Sequence, residues 1–140
     1  MATPTTDAML ALMPFAATCG VELDAAGADE VRGRLAWAPE RCTAGGLLHG
    51  GAVMALADTV GAVCAFLNLP EGANTSTIES KTNFFRGVRD GQVHATSRVL
   101  HAGRTTIVVQ TDVRDDADRR VAQVTQTQAV LAPRGETPGA

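Results

Sequence analysis

Asp58 is a carboxylate placed where a carboxylate is costly. The stretch Gly45–Leu69 reads GGLLHGGAVMALADTVGAVCAFLNL, small and apolar almost throughout, with Asp58 near its middle. An ionised Asp in apolar surroundings is strongly disfavoured unless a partner compensates it. Upstream in the same stretch stands His49-Gly50-Gly51. Where a loop turns into a helix, the first backbone N–H groups lack intrahelical acceptors and the dipole adds partial positive charge. Glycine lets another group come close to that backbone. Such a place suits an anion, or an oxygen that becomes anionic during a reaction.

The spacing restricts how the two features can cooperate. Gly51 and Asp58 are seven residues apart, so at roughly 100° per residue they fall within about 20° of each other on a helix surface. Along the axis, the step from Gly50 to Asp58 is roughly 12 Å. One reacting carbon cannot touch both groups of a single chain. If they act together, one of them comes from a second copy. Two antiparallel helices related by a twofold axis would set Gly50 of one chain opposite Asp58 of the other, with two equivalent sites per dimer. The structural alternative gives Asp58 a hydrogen bond to a neighbour such as Thr59 or an Arg.

The elements that must hold these residues can be read from periodicity and turn signals. The apolar run predicts a helix to about Leu69, broken by Pro70-Glu71-Gly72. It has the length of a membrane span, but the central Asp58, the many Gly and Ala, and the absence of basic flanks favour a core helix. Thr5, Thr6 and Asp7 predict the cap of a short helix through about Met13, ended from outside by Pro14. Ala8–Cys19 has some look of a lipoprotein signal, yet the first basic residue is Arg32, so a positive leader is missing. Strands are expected at Val21–Ala26, Glu30–Trp37, Asn74–Arg86, Gln92–Leu100, Thr105–Val113 and Val121–Leu131, with a turn at His101–Arg104. In the last strand Val and Ala alternate with Gln and Thr. A helix that is apolar all round must be covered on nearly every side. One curved antiparallel sheet wrapped around it does this, which predicts an α+β fold in a single domain over residues 1–140. The ends, about 1–8 and 133–140, are expected to be loose.

Composition removes several classes of function. With 45% hydrophobic and 19% charged residues the chain reads as globular throughout. Twelve basic against fifteen acidic residues, with no Lys/Arg run, argue against nucleic acid or a membrane surface as partner. Every basic residue except Lys81 is Arg, which suits a fixed local anion site. Cys19, Cys42 and Cys64 are an odd set without a CxxC, pointing to a reducing compartment and a cytoplasmic location. His49, His94 and His101 show no metal-ligand spacing, so no metal is expected. His94 reads as a surface or packing histidine, and Phe66, Phe84 and Phe85 as core.

HGGAVMALADT, His49–Thr59, resembles the signature of hotdog-fold acyl-CoA thioesterases of the phenylacetate-degradation type, which include 4-hydroxybenzoyl-CoA thioesterases. TIESKTNFFRGVRDGQVHA (Thr77–Ala95) and HAGRTT (His101–Thr106) are similar to strand segments of the same family, and the resemblance runs roughly from Pro14 to Leu131. It implies a long helix wrapped by a sheet, active sites shared across a homodimer interface, and dimers that often pair into tetramers. The implied reaction is hydrolysis of an aryl- or medium-chain acyl-CoA, with no cofactor beyond the coenzyme A of the substrate. By position, Gly50 would donate its N–H to the thioester carbonyl, and His49 would orient substrate and hold the loop. Asp58 would act as nucleophile or as general base on water, and a Thr77 hydroxyl would help place the water or the carboxylate. Gly51 and Thr43 would line the substrate. Where relatives commonly carry Asn or Gln, however, Thr43 offers only a shorter hydroxyl. Arg86, Arg89, Arg104 and His101 would meet the negative charges of coenzyme A. The resemblance leaves two competitors: a dehydratase or hydratase on acyl thioesters, and a non-catalytic acyl-CoA-binding protein.

Overall fold

The computed structural model describes residues 3–133. Of the ends expected to be loose, residues 1–2 and 134–140 lie outside that range. Helix α3, Gly50–Phe66, is the longest element. It ends three residues before the expected Leu69 because Asn68 closes it. The Asn68 side-chain amide donates to the carbonyls of Cys64 (2.8 Å) and Ala28 (2.9 Å), which satisfies a terminal carbonyl and ties the helix end to a distant turn.

Six strands wrap this helix: β1 Val21–Ala26, β2 Val31–Ala36, β3 Asn74–Phe84, β4 Gln92–Ala102, β5 Thr106–Asp115 and β6 Arg120–Leu131. They form one antiparallel sheet in the order β1-β2-β4-β5-β6-β3, so β3 is an edge strand beside β6. Alternation turns Val31 and Leu35 of β2, Val93 of β4, and Val109 and Val113 of β5 into the same buried cluster as Leu56 and Val60 of α3. The sheet comes unusually close at Gly33, where an added Cβ would stand 2.8 Å from Val60 Cγ2. Among the described residues no helix is long and apolar enough to cross a membrane.

Three further expectations are corrected by the structure. The single N-terminal helix through Met13 is two helices, α1 Thr6–Ala11 and α2 Pro14–Cys19. Pro14 begins the second instead of only ending the first, because its fixed φ and missing N–H suit the first helical position; Gly20, at φ +88°, closes it. His101 and Ala102 belong to β4, which is extended past a bulge between Val99 and His101. In β6, Ala122, Val124, Gln126 and Gln128 share the buried face.

The last correction concerns coverage of the helix. In a single chain α3 keeps an open stripe along Gly51, Met54, Asp58 and Phe66. Beside it β3 exposes Ile78 and Phe84, and Phe85 follows. Phe66, Phe84 and Phe85, expected in the core, are thus roughly half exposed, at 45%, 51% and 55%.

Candidate active site

The start of α3 is fixed from both sides. Leu48 N–H donates to Val88 O (2.8 Å) and His49 N–H to Arg41 O (2.9 Å). The preceding loop passes through Gly45 and Gly46 at φ +78° and +74°, a left-handed backbone that other residues rarely adopt. Arg89 Nη1 pins this loop at Gly45 O (2.6 Å), and Trp37 Nε1 at Gly46 O (3.0 Å). His49 is the N-cap residue, and its Nδ1 accepts the Gly51 N–H at 2.7 Å. An accepting Nδ1 leaves the ring proton on Nε2 in the neutral imidazole. Since His49 takes up the Gly51 N–H, the Gly50 N–H is left without an acceptor among the described residues.

Two clefts flank that point. Gly50 opens on one of about 370 Å³ together with Thr43, Val53, Phe84, Arg86 and Val121. Phe84 crowds the glycine, for an added Cβ at Gly50 would lie 3.2 Å from Phe84 Cζ. His49 and Gly51 face the other side, a cleft of about 520 Å³ with Phe15, Cys19, Arg41 and Cys42. The helix start therefore divides the expected substrate residues: Thr43, Gly50 and Arg86 on one side, His49 and Gly51 on the other.

Asp58 stands on the exposed stripe, two turns along the helix. Its Oδ1 accepts from Gln126 Nε2 at 2.6 Å, and Oδ2 meets no donor among the described residues. Thr59 is not its partner, since the Thr59 hydroxyl donates to Ala55 O (2.7 Å), and Asp58 is in no ion pair among the described residues. Gln126 Nε2 also reaches Thr77 Oγ1 at 3.4 Å, and Gln128 Nε2 donates to the same oxygen at 2.8 Å. The Thr75 hydroxyl in turn shares its proton between Ala129 O (2.9 Å) and Gln128 Oε1 (3.1 Å). The structure thus links Asp58 to Thr77 through Gln126, with Gln128 joining Thr77 to Thr75, and the sequence reading missed both glutamines. The available signal was the strict alternation of β6, which puts Gln126 and Gln128 in phase with Ala122 and Val124.

The cleft at Gly50 adjoins a third, of about 440 Å³, through Arg86, Gly87 and Val88. Arg86 and Arg89 line it, joined by Arg119, which was not expected. Arg119 is tied down: its backbone N–H donates to Asp115 Oδ1 (2.9 Å) and its Nε to Oδ2 (2.8 Å). That backbone bond, aided by the guanidinium, holds the Asp115 carboxyl below the usual carboxylate range. His94 Nε2 meets Asp116 Oδ1 at 2.7 Å and holds that carboxyl low as well. His101 and Arg104 lie at the opposite end of β4, roughly 30 Å from Arg89 within one chain. Burial pushes the Cys64 thiol up, so it stays protonated inside the core. Among the described residues no three His, Cys, Asp or Glu side chains group as a metal site.

One long helix in the grip of a six-stranded antiparallel sheet is the hotdog fold. The model of the thioesterase superfamily matches residues 45–122, a segment that holds Gly50, Asp58 and Thr77. The chain belongs to that superfamily, which makes it a hydrolase and supports thioester hydrolysis. A solved Haemophilus influenzae thioesterase is 27% identical, with a TM-score of 0.90 over 97% of this chain and 96% of its own. A mutant thioesterase of Pseudomonas aeruginosa is 26% identical, with a TM-score of 0.87 over 93% and 96%. A proofreading thioesterase of Cronobacter sakazakii is 34% identical over 86 residues, 61% of this chain and 63% of that one.

Proposed function

We propose that the protein hydrolyses acyl-CoA thioesters of aryl or medium-chain acids, in the manner of the phenylacetate-degradation and 4-hydroxybenzoyl-CoA enzymes, at sites shared by two copies of the chain in the cytoplasm. The observation that carries this reading is the pair of open valences on one helix face: the Gly50 N–H without an acceptor and the Asp58 Oδ2 without a donor. Their midpoint on the helix is Met54, exposed at 40%. Antiparallel packing about Met54 sets Gly50 of one copy against Asp58 of the other and covers Ile78 and Phe84 at the same time. A homodimer is the smallest assembly that does this, and pairing of dimers makes a tetramer.

In such a site the thioester oxygen accepts from Gly50 N–H at the positive end of the helix. Loss of one donor of this kind raises a barrier by about 2.7–4 kcal/mol. Asp58 then follows one of two routes. It attacks the carbonyl carbon and expels the CoA thiolate, leaving a mixed anhydride that water opens; or it takes a proton from water, whose oxygen adds to the carbon. Both routes deliver the hydroxyl of one water to the acid and its other proton to the CoA thiol. Thr77 receives two amide N–H bonds on its oxygen, so its own proton is left to donate to water or carboxylate. His49 holds Gly51 and leaves Gly50 for the substrate; Thr43 lines the Gly50 side of the approach and Gly51 the cleft across the helix start. Arg86 and Arg89 meet the CoA phosphates, and in an antiparallel pair the far end of β4, with His101 and Arg104, comes to the same mouth. No cofactor takes part.

Thiol release from a panel of aryl- and alkyl-CoA thioesters, with wild type beside Asp58→Asn, tests the proposal. Turnover by wild type and a loss of about 10²–10⁴-fold in the variant are expected. Binding without thiol release would replace the proposal with a carrier or sensor, and a hydrated or dehydrated thioester as product would replace it with the lyase reading.

A further inference from the structure

We propose that Gln126 is a positioning residue for Asp58, and that Gly61 is glycine in order to admit it. The inference rests on the thioesterase reading above. Gln126 is fully buried on the inner face of β6. A buried primary amide is favourable only when its donors and acceptor are matched. Here Nε2 serves Asp58 Oδ1 and, at longer range, Thr77 Oγ1, whereas Oε1 is buried without any partner among the described residues. A methionine would fill the same volume and leave no orphaned oxygen. The amide thus has no packing advantage to account for it, and the bond to Asp58 does account for it.

The helix makes room for this contact. A Cβ at Gly61 would stand 2.2 Å from Gln126 Oε1, and glycine in mid-helix is destabilising relative to alanine. Two unfavourable choices, on elements far apart in sequence, therefore serve one hydrogen bond. The orientation of the amide is also fixed. An ionised carboxylate can only accept, so Nε2 must face Asp58 and Oε1 must face the helix. Gln128, with both ends of its amide bonded, fixes the Thr77 oxygen from the same side. An exposed Asp is otherwise free to change rotamer. The charge-assisted bond selects the one that leaves Oδ2 open on the stripe.

Three variants test this: Gln126→Met, Gly61→Ala and the double. Each is assayed for steady-state hydrolysis of the CoA thioester that wild type turns over best, alongside thermal unfolding. Gln126→Met should lower kcat about tenfold to hundredfold with KM changed less than about threefold. Its unfolding midpoint should be unchanged or raised, which a purely structural role does not allow. The methyl of Gly61→Ala meets the flexible end of Gln126 and displaces it, so kcat should fall comparably in a folded protein. The double variant should lose no more than either single one. A folded Gln126→Met with kcat within about twofold of wild type overturns the proposal, as does a double variant whose loss is the product of the two single losses. If Gln126→Met does not fold, an unchanged kcat in Gly61→Ala overturns it. The two readings fail differently: a fully active Gln126→Met beside an inactive Asp58→Asn removes only the positioning role, whereas an active Asp58→Asn removes both.

Discussion

His49 determines which backbone donor of the helix start stays available. By accepting from Gly51 it caps α3, and Gly50 is left open to the cleft that holds Phe84. Replacing it separates capping from chemistry. His49→Ala should lower the free energy of unfolding by about 0.5–2 kcal/mol, and His49→Asn, a good N-cap, should restore most of it; urea unfolding measures both. These residues were legible in the sequence because their relation is local. Gly50 and Asp58 lie on one helix, and helical geometry alone gives their separation. The contact of Gln126 with Asp58 was not legible, since it spans 68 residues. The phase of Gln126 with Ala122 and Val124 marks its face of β6, but which helix residue it meets is decided by how the sheet wraps α3.

At the scale of elements, the turn between β5 and β6 is organised by a single carboxylate. Asp115 is almost wholly buried and accepts from Ala117 N, Arg119 N and Arg119 Nε. The folded carboxyl titrates below its unfolded counterpart near 3.9, so its contribution to stability is complete above about pH 4. It fades as pH falls through the depressed folded value, because protonation removes the acceptor. Unfolding midpoints followed from pH 6 to pH 2 should therefore fall less steeply in Asp115→Asn than in wild type, from a lower start. Strand positions were legible to within a residue or two almost everywhere, because alternation and turn residues are local. Helix ends were less so. Pro14 reads equally well as a stop or as a start, and the early end of α3 depends on Ala28, forty residues away.

For the whole molecule, the single chain leaves unfinished the face that the sequence says should be covered. The stripe through Met54 and the outer edge of β3 lie side by side on it. Sites shared across that face predict complementation between two inactive proteins. Asp58→Asn and Gly50→Pro, each inactive alone, should after mixing and subunit exchange recover about a quarter of wild-type thiol release. Half of the dimers are then mixed, and each mixed dimer keeps one of its two sites intact. Chains that work independently would recover nothing. The open stripe also bears on reaction order. Below the concentration at which copies separate, velocity depends on the square of enzyme concentration, so a specific activity taken at one dilution describes the vial and not the enzyme.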